Sequence, residues 1–379
     1  MPDYKSNHYV SEFYLRNFSP NQKSVGLYNL KTDFSYGHAS IKDQCCKDYL
    51  YGKDGQAEKA LRDIETASSA IIREIISTHK LPPLFSAEHI ALMIFVLIQN
   101  ARTLNATDEL NEVTDKVIKH LFVRYKRGQI KQQDLDRVKL QYDNAALQRI
   151  SHAVEVYPLI LDLVLFLLVN NTGRRFITSD NPVVLYNQYL DERDYSGNTG
   201  LQSIGLQICF PLSPKLLLVC YDSSVYSIHP RLSESDIENI NGLQFLNAFE
   251  HMYYHSEMTD LQSFSDAFKK IHGKRLRKTN IHSQIKQQPN NPERELFGLY
   301  RDDIKADLQL SFIAIKPSAM RTKADVMSRI AVRDPHLCNE LRYFRELVKN
   351  DIYCRGEFPR YLSDNAKGRI GGCLDNCDT

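Results

Sequence analysis

The sequence predicts an α+β protein, a mainly helical N-terminal half packed on a small, mostly antiparallel sheet. Two patterns carry this expectation. Between Gln56 and Val154, apolar residues recur three and four apart, the spacing of amphipathic helices. From about residue 160 onward, short apolar runs alternate with turn residues such as Asn, Gly and Pro, the spacing of hairpin strands. The boundaries expected are a core domain over 1–268, a basic linker over 269–305, and a C-terminal strand, helix and tail over 306–379.

Composition narrows the class. A chain of 379 residues with 42% hydrophobic and 25% charged residues has the balance of an ordinary globular protein. Trp is absent, and 21 Tyr and 17 Phe supply the aromatic bulk. A net charge of +2 provides no global field for nucleic acid or membrane. The start Met1-Pro-Asp-Tyr-Lys is not followed by an apolar run. The expectation is therefore a cytoplasmic protein whose eight Cys are reduced thiols. The apolar runs Ile90–Ile98 and Leu159–Val169 fall short of the ~20 residues a membrane span requires, so no membrane partner is expected.

His8 to Phe18 is expected to form a short helix with Asn7 as N-cap. Val10, Phe13, Tyr14 and Phe18 would face the core, and His8, Glu12 and Arg16, four apart, share one band. Val25 to Leu30 reads as a strand. Lys42 to Gly52 reads as a polar connector, whose adjacent Cys45 and Cys46 lack zinc-ligand spacing and serve packing. Gln56 to His79 is a helix with Leu61, Ile64, Ile71 and Ile75 on its stripe. On it, Glu58 and Glu65 lie seven apart, one above the other, on a line that turns apolar at Ile72 and Ile76. A buried carboxylate requires a cationic or metal partner, and the alternative is an exposed row at the helix N-terminal half.

Ser86 caps the next helix, whose run Ile90–Ile98 is apolar all round and so buried on most faces. That run continues into Gln99-Asn-Ala-Arg102. Arg102 stays on the interior stripe and should meet Glu58, Glu65 or Asp180. Thr107–Arg127 and Gln132–Val154 read as two more helices. Between Lys116 and Lys139 lie eight Lys or Arg and two acids, a solvated face or a track for phosphates. Leu163–Val169 with Arg175–Ile177 reads as a hairpin, and Leu206–Phe210 with Leu216–Tyr221 as a second. Ser233-x-x-Asp236 reads as a capping box opening a helix to about His255, with more helix over Met258–Ile271. From Lys269 to Pro292 there is no acid, which predicts a mobile basic linker. Leu308–Ile315 reads as a strand and Asp334–Lys349 as the last helix. Cys354, Cys373 and Cys377, with His336 and Cys338, form a weak zinc pattern.

The centre of the expected site is Phe176-Ile-Thr-Ser-Asp-Asn-Pro-Val-Val-Leu185. Strand-forming residues stand on both sides of a polar break closed by Pro182, which restricts Asn181. Asp180 is held at the break, either presented as a functional carboxylate or capping the turn. Tyr186 to Ser203 reads as a polar loop and a candidate lid over it. No Walker loop, GxGxxG, HExxH or GxSxG is present.

Four stretches together resemble the family known as domain of unknown function 4238. They are His8-Tyr-Val-x-x-Phe-Tyr-Leu-Arg-Asn-Phe18, Glu58 with Glu65, Gln99-x-x-Arg102, and Phe176-Ile-Thr-Ser-Asp-Asn-Pro-Val183. The resemblance spans roughly residues 6 to 260. The family often carries Pro-Gln or Pro-Arg where this chain has Ser11-Glu12. It implies a bacterial or fungal intracellular protein and supplies no reaction. It does imply that His8, Arg16, Glu58, Glu65, Arg102 and Asp180 form one recurring set, a site or a buried polar network.

The chemistry this set suggests is a metal-dependent hydrolase acting on a phosphodiester, with a toxin or phage-defence effector as one fitting role. Asp180 with Glu58 or Glu65 would hold magnesium or manganese, and His8 would act as general base. Arg16 or Arg102 would steady phosphate charge, with Gln99 and Asn181 as further binding residues. The substrate would be nucleic acid or a nucleotide. The competing expectation is a non-enzymatic binding module whose polar set is structural.

Overall fold

The computed structural model describes residues 5–125, 132–193, 197–257, 281–288, 291–301, 303–304, 306, 308–327 and 331–366. The chain begins with strand β1 (Ser6–His8), helix α1 (Glu12–Arg16), strands β2 (Ser24–Asn29), β3 (Phe34–Ser40) and β4 (Cys46–Asp48). A helical layer follows: α2 (Gln56–Thr78), α3 (Ala87–Ala101), α4 (Leu104–Tyr125), α5 (Gln132–Asp136) and α6 (Ala145–Val156). Next come β5 (Val164–Val169), β6 (Thr178–Ser179), β7 (Val184–Tyr186), β8 (Gln207–Ser213), β9 (Leu216–Tyr221) and β10 (Tyr226–Ile228). The rest is α7 (Glu234–Asn247), β11 (His251–Tyr254), β12 (Ile281–Gln288), β13 (Asn291–Arg301), β14 (Ile313–Ile315), α8 (Pro317–Met327), α9 (Pro335–Lys349) and α10 (Phe358–Ala366). This is the expected α+β class, and every strand pair described is antiparallel.

The main sheet runs β5-β9-β8-β7, and its central strands are covered on both faces. Side chains alternate along a strand, so one strand serves two cores. Ile208, Phe210, Leu216 and Leu218 join the larger core with α1, α2, α3 and α6. Cys209, Leu217 and Val219 join a second core with Ile237, Ile240 and Leu243 of α7. A smaller sheet, β3-β2-β11-β6, lies beside them. Helix α3 is buried on most faces, as its all-apolar run predicts, and Ser86 Oγ caps it by accepting from the His89 N–H at 3.2 Å. No single helix among the described residues is long and apolar enough to cross a membrane.

Several elements depart from expectation. The opening is not one helix from Asn7. Residues 6–8 form a strand paired with β4, and the helix starts after Ser11. The expected helix over 132–154 is two, because the residues between them are tied to α4: Leu140 N–H donates to Asp115 and Tyr142 N–H to Asn111. Asn144 then adopts φ 56° at the start of α6. The expected hairpin of 163–169 with 175–177 does not form, since β5 pairs with β9 instead and β6 joins the smaller sheet. The hairpin of β8 and β9 does form.

The helix opened by the Ser233–Asp236 capping box ends at Asn247, not His255, and the chain turns into β11. Within the span expected to be a mobile basic linker, β12 and β13 pair as a hairpin. A lack of acids does not prevent this, because strand pairing is backbone to backbone. Residues 269–280 and 289–290 of that span, and the whole of the helix expected over 258–271, lie outside the described residues. So do Cys373 and Cys377 of the zinc pattern, while Cys354 is a free, exposed thiol. Helix α10 follows α9, which was expected to be the last. The stretch expected to be a lid is built into the second core, where Tyr189 and Leu190 are buried and Tyr189 Oη donates to the Ala319 carbonyl at 2.9 Å.

Candidate functional site

The N-terminal segment crosses the helical layer and is fastened at four points. Tyr9 N–H donates to the Cys45 carbonyl at 2.7 Å, and Gln99 Nε2 donates to the Tyr9 carbonyl at 3.0 Å. Asn7, expected to be a helix cap, is buried and instead donates from Nδ2 to Glu58 Oε2 at 3.1 Å. Ser11 Oγ donates to Glu65 Oε1 at 2.8 Å and accepts from Arg102 Nη2. Arg102, 1% exposed at the end of α3, also donates from Nη1 to Glu65 Oε1 at 2.7 Å. The expected partnership of Arg102 with an α2 acid therefore exists: a buried guanidinium meets a partly exposed carboxylate, and a hydroxyl closes the pair. A proline at position 11 has no hydroxyl to offer, so this bridge depends on Ser11. Its role had no signal in the sequence beyond the residue type.

Beside this network lies an open cleft of about 280 Å³. His8, Glu12, Arg16, Glu58, Glu65 and Arg102 all line it, which gathers five of the six residues of the recurring set. The band expected of His8, Glu12 and Arg16 is real. Arg16 pairs with Glu12, and His8 Nε2 stands 3.6 Å from Glu12 Oε1 and 3.1 Å from the Lys42 carbonyl. Glu58 and Glu65 face the same space from α2, one above the other. Burial and the neighbouring Glu65 push the Glu58 carboxyl above the ordinary glutamate range, against the pull of Arg102, Arg62 and Asn7. A carboxyl so poised exchanges a proton closer to neutrality than a solvated one does. Arg62 also lines the cleft, a residue to which the sequence drew no attention.

Asp180 does not line this cleft. It is 3% exposed, and its Oδ1 accepts from the Phe249 N–H at 2.8 Å. Its Oδ2 accepts from the Glu250 and His251 N–H groups at 2.7 and 2.9 Å. The chain leaving α7 for β11 carries three inward N–H groups, and the Asp180 carboxylate satisfies them. Burial pushes this carboxyl above the usual range, while those three bonds and His251 pull it down. The expected metal trio of Glu58, Glu65 and Asp180 is thus not assembled. Among the described residues, no group of three or more His, Cys, Asp or Glu side chains is arranged to hold a metal ion.

The remaining residues of the central stretch are also bound inward. Thr178 Oγ1 meets Tyr14 Oη at 2.7 Å, Ser179 Oγ donates to Gln244 Oε1 at 3.0 Å, and Gln244 Nε2 donates to the Pro182 carbonyl at 2.7 Å. Asn181 Nδ2 donates to the Asn247 carbonyl at 3.0 Å. Of the three expected binding residues, Arg16 lines the cleft, Gln99 fastens the N-terminal segment, and Asn181 lies at a different cavity. The basic run on α4 is partly self-paired, Lys116 with Glu112 at 2.8 Å and Lys119 with Asp115 at 2.7 Å.

No curated protein and no solved structure matches the chain. The model of the family described as Protein of unknown function (DUF4238) matches residues 6–258, and the protein belongs to that family.

Proposed function

We propose that the cleft between α1 and α2 hydrolyses a phosphodiester, in nucleic acid or a nucleotide, by acid–base chemistry. The observation that supports this is the convergence of His8, Arg16, Glu58, Glu65 and Arg102, from three separate stretches of chain, on one open space. In this reading His8 takes the proton of the attacking water. Glu58, whose carboxyl is raised by burial and by Glu65, gives a proton to the leaving oxygen. Arg16 and Arg62 supply positive charge at the cleft, while Arg102 is held by Glu65 and Ser11 and positions them. A magnesium or manganese ion would rest on Glu58 and Glu65 without Asp180, and would then replace the acid role of Glu58.

The test is hydrolysis of DNA, RNA, cyclic nucleotides and an activated phosphodiester by the full chain, with EDTA and with added magnesium or manganese. Acid–base chemistry predicts turnover that survives EDTA and is lost in Glu58→Gln and His8→Ala. Turnover that requires the metal moves the assignment to the ion-bound form. No turnover in any condition removes the hydrolase and leaves the second reading, a binding module. That reading is favoured by one observation: Gln99, Arg102 and Asp180 are bonded to the protein's own groups.

A further inference from the structure

Glu12, in the first turn of α1, lines the cleft but has no part in the acid–base reading. Its carboxylate pairs with Arg16 one turn on, and its Oε1 stands 3.6 Å from His8 Nε2. That nitrogen also lies 3.1 Å from the Lys42 carbonyl. A carbonyl only accepts, so Nε2 bears the imidazole proton, and the lone pair of a basic His8 is on Nδ1. The other two acids of the cleft are tied to the framework. Glu65 accepts from Ser11 and Arg102, and Glu58 accepts from Asn7. Glu12 is instead paired with two residues that the reaction itself would use. Its carboxylate, 27% exposed, shares Arg16 with whatever anion enters.

The charges that line the cleft set what it accepts. Arg16, Arg62 and Arg102 bring three positive charges. Glu12 and Glu65 bring two negative ones when Glu58 holds the proton that the hydrolase reading gives it and His8 is the neutral base. Three against two leaves one positive charge. A phosphodiester carries one negative charge and closes the count. A phosphomonoester carries roughly two near pH 7 and leaves one unanswered beside the acids. Without Glu12 the surplus would be two, the match for a monoester. We infer that Glu12 is a specificity-determining residue of the cleft, holding Arg16 so that a phosphodiester is taken in preference to a phosphomonoester. The inference rests on the hydrolase reading for the proton on Glu58. It also gives the reaction a direction. Water's oxygen forms a bond to phosphorus, the bond to the leaving oxygen breaks, and that oxygen takes the proton. The products are an alcohol and a monoester, so the residue that admits the diester disfavours the product.

The experiment is calorimetric titration of the full chain carrying Glu58→Gln with methyl phenyl phosphate and with phenyl phosphate, a diester and a monoester of one alcohol. Glu58→Gln fixes position 58 as neutral and, in the hydrolase reading, stops turnover, so binding is read alone. The diester should bind about tenfold or more tighter than the monoester. Adding Glu12→Gln keeps the size of the side chain and an oxygen for Arg16. It should tighten the monoester about tenfold or more, the diester less, and so remove the preference. Salt at about 1 M should erase most of that gain, because partly exposed charges are then screened within roughly 3 Å. Adding Glu12→Asp instead, which restores the charge, should restore most of the preference. A preference that Glu12→Gln leaves unchanged overturns the inference. So does a change that salt does not touch, or no binding of either ligand at millimolar concentration in any of these forms. The hydrolase fails separately: a wild-type chain without turnover, in which Glu12 still sets the preference, loses the reaction and keeps Glu12. Turnover with a preference indifferent to Glu12 loses this inference alone.

Discussion

Asp180 accepts three backbone N–H groups at 2.7 to 2.9 Å in a turn 3% exposed, whereas Glu58 accepts one side-chain amide at 3.1 Å and faces an open cleft. Both were marked by the same motifs, and both sit where burial raises the carboxyl. What separates them is how many bonds remain open. Asp180 exchanges water for a full set of fixed donors, so it organises backbone. Glu58 is taken half out of water beside a second acid and is given less in return, so its carboxyl is raised while its bonding stays open. A buried acid indicates function when its hydrogen bonding is incomplete, and architecture when it is closed.

The largest effect should come from the closed side of this comparison. Asp180→Ala leaves three inward N–H groups without an acceptor and should destabilise the protein by about 3–5 kcal/mol in urea unfolding. Asp180→Asn keeps one oxygen and should recover part of that loss. An Asp180→Asn protein with wild-type stability and no activity would break the comparison and return Asp180 to the chemistry.

Arg102→Ala comes next, at about 3 kcal/mol, because it strips Glu65 and Ser11 of their partner in a buried position. Arg102→Lys keeps a charge but carries its donors on one nitrogen instead of a guanidinium fork, and should fall between. Equal stability of both variants and wild type would show that the N-terminal segment is not fastened there.

The open side predicts the reverse sign. The folded Glu58 carboxyl lies above its unfolded value, so the stability tied to its proton is complete below the unfolded value and is lost as pH rises through the folded one. Glu58→Gln removes that loss. Its melting temperature should exceed wild type by roughly 1–3 °C near pH 8 and match it near pH 4, with activity gone at both. A lower melting temperature at pH 8 would place Glu58 with the structural acids. The smallest stability change belongs to His8→Ala, since His8 is half-exposed at the cleft mouth. Roughly 1 °C or less is expected, against a loss of activity of about 10²–10⁴-fold.

How far the sequence reached can be traced through single residues. The all-apolar run before Gln99 placed Arg102 indoors, and an indoor arginine beside an α2 carrying Glu58 and Glu65 had few other partners. The seven-residue spacing placed those two acids in one row. Helical and strand periodicities likewise determined the α+β class and the β8–β9 hairpin, because period and turn chemistry are local properties. Which strands become neighbours is not local. β5 had a nearer candidate at 175–177 but paired with β9, and β6 went to another sheet.

The partner of Asp180 was equally hidden, since it lies some seventy residues away at 249–251 and is backbone, which carries no sequence signature. Ser11 was hidden for a related reason. A hydroxyl becomes a bridge only when α2 and α3 bring Glu65 and Arg102 to it. The sequence by itself determined which residues are costly to bury and therefore must be answered. Only the tertiary structure decided what answers them, because a hydrogen bond depends on a distance, and distances between remote segments exist only once the chain has packed.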